Sequence, residues 1–165
     1  PVVIKPINEG SSVNVFICNK KNIFSRLKNL EIYKKIIIEE FIPGRELTIS
    51  VLGDLICDPI EIVAQEEFYN FEAKYNRTDT SYSFPIFAED KLAKLKKLSK
   101  NAFDLLGCEK WGRVDLIEHE DKFYFIEVNT VPGMTETSLV PKSAEKEGLS
   151  FYELIKKIIM DSIDN

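Results

Sequence analysis

Two alternating hydrophobic runs, residues 111–118 (WGRVDLIE) and 122–129 (KFYFIEVN), constrain this chain most, because each carries acids in a stretch otherwise suited to a dry core. Period-two alternation makes both runs strands. It puts Val114 and Leu116 on one face of the first strand, with Arg113 and Asp115 on the other. On the second strand Tyr124, Ile126 and Val128 share a face, which leaves Glu127 and Asn129 opposite. If the polar link HEDK closes a hairpin, Asp115 and Glu127 lie side by side. Like charges directly opposite each other are unfavourable without a counter-ion. Two carboxylates and an amide are hard oxygen donors of the kind magnesium takes. Arg113 pairing with one acid on a solvated face is the plainer alternative. To hold Asp115, Glu127 and Asn129 on one face, an odd loop or a bulge has to join the strands at HEDK. The loop TVPGMTETS follows at once, and backbone N–H groups near Gly133 can meet an anion beside a metal.

Three further stretches carry candidate chemistry. In VVIKPINEGSS, Lys5 ends a hydrophobic strand, where a charge is costly unless paired. A glycine and hydroxyl tip suited to phosphate oxygens follows it. The order differs from GxxxxGK[ST], because the lysine precedes the glycine, and a snorkelling lysine is the plain reading beside it. In IIIEEFIPGRE the carboxylates Glu39, Glu40 and Glu46 can read the polar edges of a nucleotide; a polar strand end before a turn is the alternative. In FYNFEAKY, Lys74 sits in an aromatic segment that reads either as a lid or as a loop held by its own rings.

Around these stretches the chain mixes strands and helices without βαβ alternation, which favours an α+β fold with antiparallel sheets. PVVIK and VNVFIC read as a hairpin, NIFSRLKNL as a short helix through Ile23, Leu27 and Leu30, and KKIIIEEFI as a buried strand. LTISVLG is the next strand, and a strand-like run over 54–64 breaks at Pro59. Residues 65–85 have neither hydrophobic period and read as a long functional loop. The clearest helix spans Glu89 to Leu106, with Leu92, Leu95, Leu98, Ala102, Phe103 and Leu106 on one face and Gly107 as its stop. A last helix starts after Ser150, its candidate N-cap.

Composition narrows the classes. At 165 residues, 44% hydrophobic and 30% charged, the chain can pack a core under an ordinary polar surface. Its net charge of -5 argues against a general nucleic-acid or membrane binder, though not against an anionic ligand in a locally basic cleft. Cys18, Cys57 and Cys108 are far apart and odd in number, which reads as reduced, packed thiols in a cytoplasmic protein. His119, in a polar turn, reads as an exposed side chain rather than a ligand. The opening PVVIKP looks like the middle of a domain, so the chain reads as a fragment.

The four stretches, in this order, resemble the D-alanine–D-alanine ligases of the ATP-grasp superfamily. The match is carried by KPINEGSS, FYNFEAKY, WGRVDL and FIEVNTVPGMTETSLVP, and it runs over essentially the whole chain. The resemblance implies residues 1–38 as the later part of the central lobe and 39–165 as the C-terminal lobe. Lys5 looks like the lysine on the ATP phosphates, and Glu9 to Ser12 like the serine loop that closes over them. Glu39, Glu40, Phe41 and Ile42 resemble the strand that holds adenine, with Glu46 at the ribose hydroxyls. Lys74 resembles the phosphate lysine of the lid, and Tyr75 the tyrosine that reaches the loop serine, Ser11. Asp115, Glu127 and Asn129 match the metal ligands, for Mg2+ or Mn2+. Arg113 and the Gly133 N–H resemble the oxyanion-stabilising pair; Ser138 and the Leu139 backbone match the anchor for the second substrate's carboxylate.

The implied activity joins two D-alanines through a D-alanyl phosphate, for peptidoglycan precursor synthesis. ATP, D-alanine and the N-terminal part of the same protein are the implied partners, and a homodimer is an open assembly. Without that part, which supplies another phosphate lysine and a glutamate for the first D-alanine, the chain alone is expected to be inactive. Two departures stand out. Asn14 occupies a position where glycine is common, and Glu40 one where lysine is common. The rival readings are a ligase making a D-lactate or D-serine product, which Tyr75 weighs against for lactate, and a non-catalytic Mg-nucleotide-binding module.

Overall fold

The computed structural model describes residues 1–10, 12–63 and 81–163. They form two compact units, one holding Pro1–Pro43 and the other holding Gly44–Ile62 and the chain from Tyr82 onward. Residue 38, where the sequence reading divides the chain, lies inside a strand of the first unit. Ser11, Lys74 and Tyr75 lie outside the described residues.

The first unit is a three-stranded antiparallel sheet, ordered β2-β1-β3, with one helix. Its elements are β1 (Val2–Pro6), β2 (Phe16–Cys18), α1 (Ile23–Asn29) and β3 (Ile36–Glu40). Ile4, at the centre of the middle strand, is buried with Cys18 and Leu30, and Ile23, Leu27, Tyr33 and Ile36 pack around them. The helical spacing of Ile23, Leu27 and Leu30 therefore does serve a core. Two expectations change. The second strand is shorter than VNVFIC, because Ser12 and Asn14 take left-handed backbone angles that no ladder accepts. The strand at 36–40 is not buried: it is an edge strand, and Ile38 is 55% exposed.

The second unit is built on an antiparallel sheet ordered β7-β6-β4-β8-β9, with β5 paired to β4. These are β4 (Arg45–Leu52), β5 (Leu55–Ile56), β6 (Ile60–Val63), β7 (Ser81–Ser83), β8 (Trp111–His119) and β9 (Lys122–Asn129). Part of the segment read as one long loop is thus strand, at β7. One face of β4 and β8 presents Leu47, Ile49, Val51, Val114 and Leu116 to Leu95 and Phe103 of α2 (Glu89–Leu105). Each such side chain contributes roughly 1.5–3 kcal/mol by leaving water. The expected helix face is trimmed at its end, where Leu106 lies beyond the helix and is 67% exposed. Gly107 (φ +70°) supplies the left-handed stop that only glycine takes without steric cost.

Two more helices complete the unit. α3 (Leu139–Lys146) lies in a stretch for which the sequence suggests no element; Pro141 falls in its first turn, where a missing N–H costs no helical bond. α4 (Phe151–Ile163) begins with a reciprocal capping box. The Ser150 N–H donates to Glu153 Oε2 (2.8 Å) and the Glu153 N–H to Ser150 Oγ (3.3 Å), as its N-cap reading anticipates. Those Ser150 bonds hold the Glu153 carboxyl below its ordinary pKa. Val140, Ala144 and Leu154 from these helices bury Leu52 and Cys57. Burial, with Glu147 nearby, pushes the Cys57 thiol up to about 12, so it stays a packed thiol. All three cysteines are unpaired. No described helix is long and apolar enough to cross a membrane.

Candidate functional site

The β8–β9 hairpin closes through Glu120 (φ 47°) and Asp121 (φ 62°), a two-residue turn with both backbones left-handed, as in a type I′ hairpin. Such a turn pairs odd with even residues: His119 faces Lys122, Ile117 faces Tyr124 and Leu116 faces Phe125. Continued unbroken, the ladder would set Ile126 against Asp115. A bulge between Asp115 and Leu116 absorbs Ile126 instead, so Asp115 faces Glu127 and Arg113 faces Asn129. The required irregularity therefore exists, but beside the acids rather than at HEDK. It also separates Tyr124 from Val128: Tyr124 is set opposite Ile117, and Val128 opposite Val114 in the core.

The neighbouring strand β4 extends each row. Thr48 faces Asp115 and Ser50 faces Arg113, so Thr48, Asp115 and Glu127 form one row across the sheet, and Ser50, Arg113 and Asn129 the next. Glu46, two residues from Thr48, is on the same face by strand alternation. Asp115 is 6% exposed and thoroughly held. Arg113 grips it with two parallel bonds, Nε to Oδ1 at 2.9 Å and Nη2 to Oδ2 at 2.7 Å. Thr48 Oγ1 donates to Oδ1 at 2.6 Å. Burial pulls the Arg113 pKa down, but the Asp115 bonds and the charges of Asp115, Glu127 and Glu46 outweigh it and hold it above its ordinary value. The plainer pairing of arginine with one acid is thus present, on a largely dry face rather than a solvated one. Thr48 escaped the sequence reading; its alternation with Glu46 along one strand was the available signal.

The donor set suits a hard divalent cation. Among the described residues no three of His, Cys, Asp and Glu gather to hold a metal, so an Asp115–Glu127 pair needs the amide oxygen of Asn129 as its third donor. Asp115 keeps acceptor capacity on Oδ2, which takes one bond where an ionised carboxylate oxygen can take two. Glu127 is exposed and forms no ion pair among the described residues.

Downstream, Ser138 stands at the N-cap of α3 and Leu139 is its first residue. The loop before it folds back tightly. Ser138 Oγ accepts from the Thr135 N–H at 3.1 Å and lies 2.8 Å from Thr135 Oγ1. A Cβ on Gly133 would stand 3.0 Å from Ser138 Oγ, so a side chain there would crowd the hydroxyl. Gly133, Ser138 and Leu139 are therefore neighbours at a helix N-terminus, whose free N–H groups and dipole favour an anion.

In the first unit Lys5 Nζ forms an ion pair with Glu39 Oε2 at 2.7 Å, which meets the cost of placing a charge at a strand end. Glu40 is exposed, and the Phe41 N–H donates to the Pro1 carbonyl at 3.3 Å just before half-buried Ile42. Glu9 and Gly10 are exposed, while Ser12 is half-buried at φ 59°. Asn14, where glycine is common in the resembled family, has φ 56°; asparagine is among the few side chains that tolerate this region.

Comparison with known proteins identifies the family. The family model described as "D-ala D-ala ligase C-terminus" matches residues 1–160. The D-alanine--D-alanine ligase of Pelagibacter ubique is 44% identical over 100% of this chain and 55% of its own length. The crystal structure of D-alanine--D-alanine ligase from Bacillus anthracis superposes with a TM-score of 0.86 at 33% identity, covering 99% of this chain and 54% of that one. The same enzyme complexed with ATP gives a TM-score of 0.83 at 30% identity, over 99% and 52%. The chain belongs to the D-alanine–D-alanine ligase C-terminal family, and its fold is the α+β ATP-grasp fold of those ligases. It spans about half the length of the relatives it matches.

Proposed function

We propose that this chain is the C-terminal half of an ATP-dependent ligase that joins two D-alanines into the dipeptide used for peptidoglycan precursors in the cytoplasm. The observation that carries the reading is the bulge-corrected pairing of Asp115 with Glu127 and of Arg113 with Asn129 on one sheet face. It sets a surplus of carboxylate beside one clamped arginine, an arrangement that makes sense around a cation and a phosphate. The ATP complex of a structural neighbour supports ATP as the nucleotide.

In the reaction, the carboxylate of the first D-alanine attacks the γ-phosphorus of ATP and ADP leaves. The amine of the second then attacks the resulting acyl phosphate, loses a proton, and inorganic phosphate leaves. Asp115, Glu127 and Asn129 would hold Mg2+ or Mn2+, which when bound supplies charge neutralisation to the phosphoryl group. Arg113 gives Nε and Nη2 to Asp115, and its remaining nitrogen is directed to the oxyanion of the acyl-transfer step. The Gly133 N–H is the second donor to that oxyanion. Each such preorganised donor is worth about 2.7–4 kcal/mol in other enzymes. Ser138 and the Leu139 N–H fix the carboxylate of the second D-alanine at the start of α3. Lys5, Glu9, Ser11, Ser12 and Lys74 serve the phosphates; Glu39, Glu40, Phe41 and Ile42 serve adenine; Glu46 serves the ribose; and Tyr75 works with Ser11.

The test is a ligase assay on the full-length protein with ATP, Mg2+ and D-alanine, with D-serine and D-lactate as competing acceptors. Phosphate and D-alanyl–D-alanine released one for one is the expected result. Nucleotide binding without any dipeptide would overturn the reading.

A further inference from the structure

Asn14 takes a left-handed backbone (φ 56°) of the kind glycine adopts most easily. It also gains a bond that glycine cannot make: its Nδ2 donates to the Tyr33 hydroxyl at 2.6 Å, between residues 19 apart in the chain. The Tyr33 ring packs against the buried Ile4, Cys18 and Leu30, and its N–H donates to the Leu30 carbonyl at 3.0 Å. The hydroxyl therefore stands on a fixed post, rooted in the core beneath β1. On the other side, Asn14 lies in the second of two successive tight turns, closed by Val13 N–H to Gly10 O (3.1 Å) and Val15 N–H to Ser12 O (3.3 Å). Ser12 within them is also left-handed, at φ 59°. Serine does not favour that conformation, so the surroundings have to impose it.

From this geometry we infer that Asn14 and Tyr33 form a positioning clamp that fixes the turns carrying Gly10 and Ser12 to the core of the first unit. The inference rests on reading that loop as the phosphate loop of the ligase. With glycine at position 14 the same exit would be free to sample many backbone states, and each binding of nucleotide would bear that ordering cost. Here the side-chain bond removes part of the cost in advance, by preorganisation. The effect is one of binding rather than chemistry, because neither residue touches the reacting atoms.

The experiment uses the full-length protein with Tyr33→Phe, Asn14→Gly and the double variant. Tyr33→Phe deletes one hydroxyl and keeps the packed ring, while Asn14→Gly permits the same left-handed conformation but frees the backbone as it deletes the amide. Each single change is expected to raise KM for ATP about two- to tenfold, the span of one net hydrogen bond. Since the bond acts alike in ground and transition states, kcat stays within about twofold. The double variant is no worse than the worse single one, because both changes break the same bond. Amide exchange at Val13 and Val15 in the nucleotide-free protein quickens in all three. An unchanged KM for ATP in Tyr33→Phe, or effects that simply multiply, would overturn the clamp. Should the unmodified protein show no ATP-dependent turnover, the ligase reading fails and exchange alone decides: unaltered protection at Val13 and Val15 in Tyr33→Phe overturns the clamp, and faster exchange upholds it.

Discussion

At the turn end of the β8–β9 hairpin, Glu118 is 8% exposed and is held by Arg45 and Lys91, each at 2.5 Å. Lys91 also takes Asp121, and Arg45 stacks 4.8 Å from the Phe87 ring centre. At the far end of the same strands, Arg113 bonds Asp115 two residues along its own strand, with the charges of Glu127 and Glu46 close enough to raise its pKa. Glu118 and Asp121 at the turn end meet cations directly, whereas at the bulge end Arg113 is bonded to Asp115 and Glu127 forms no ion pair among the described residues. The comparison separates two uses of buried charge on one ladder. The first ties α2, β4 and the hairpin together. The second leaves Glu127 open beside the Asp115–Arg113 pair, where the proposed cation would sit.

The sharpest way to break this contrast is to change one acid at each end. Asp115→Asn keeps the shape and the Thr48 row but removes the charge a cation would meet. In the full-length protein it should lower kcat/KM by at least about 100-fold, since a metal contributes several kcal/mol of charge stabilisation. The melting temperature should fall as well, because the amide cannot accept both Arg113 bonds and leaves the guanidinium without its counter-charge, so activity is compared per folded molecule. A D115N enzyme with near-normal activity and unaltered Mg2+ dependence would remove the bulge end from the chemistry.

Gly112→Ala ranks next, because it tests whether the ladder behind the site can shift. Gly112 is buried in β8, and a Cβ there would come 2.7 Å from Phe103 Cε2 and 3.0 Å from the Asn129 carbonyl. Overpacking of this kind costs about 1–3 kcal/mol. It should lower the melting temperature and, by displacing Asn129, weaken Mg2+ activation as well. A stability loss with metal activation intact would show that Asn129 holds its place independently of the core.

Much of this was legible in the sequence, and the misses have physical reasons. Alternation in WGRVDLIE and KFYFIEVN revealed the hairpin and its acid face, because period-two patterning survives in any strand with one dry side. The bulge was deducible in parity but not in position: Phe125 and Ile126 are both large and apolar, so nothing in their chemistry marks which one is extra. Thr48 was invisible because its role depends on a partner 67 residues away. Helix α3 was hidden by Pro141, a breaker in most places and harmless in a first turn. The Asn14 departure was visible as a letter, but its bond to Tyr33 belongs to the folded first unit.

Glu118→Gln probes the turn end, with a smaller effect of opposite kind. Burial pushes the Glu118 carboxyl up, but hydrogen bonds and charge from Lys91 and Arg45 outweigh it and hold its pKa below the ordinary 4.5. A depressed carboxyl contributes stability that is full above its unfolded pKa and is lost as pH falls through the lower folded value. Unfolding monitored from pH 7 down to pH 3 should therefore show a fall in stability below about pH 4.5 that the Gln variant lacks. At pH 7 the variant should lose about 1–2 kcal/mol, the scale of charge-assisted hydrogen bonds that are partly exposed. Its activity per folded molecule should match the unmodified enzyme. Equal acid profiles for the two proteins would mean the turn end contributes nothing through charge.

The finest probe is Thr48→Val, which keeps the branched shape of a fully buried strand residue and deletes only its hydroxyl. Asp115 Oδ1 loses the Thr48 bond but keeps Arg113 Nε, so no acceptor is left without a partner. That predicts a stability loss of only about 0.5–1.5 kcal/mol, well short of the cost of an orphaned carboxylate. At the proposed metal site the change matters through aim: with one of three tethers gone, Asp115 can swing further with the arginine. The apparent affinity for Mg2+ should fall by about two- to tenfold, on the scale of one hydrogen bond to a ligating carboxylate. Titrating activity against Mg2+ at saturating ATP and D-alanine measures it directly. If the midpoint is unmoved while stability drops, Thr48 braces the sheet and, among the described residues, Arg113 is what orients Asp115, so that one side chain sets both the geometry of the carboxylate and the charge beside it.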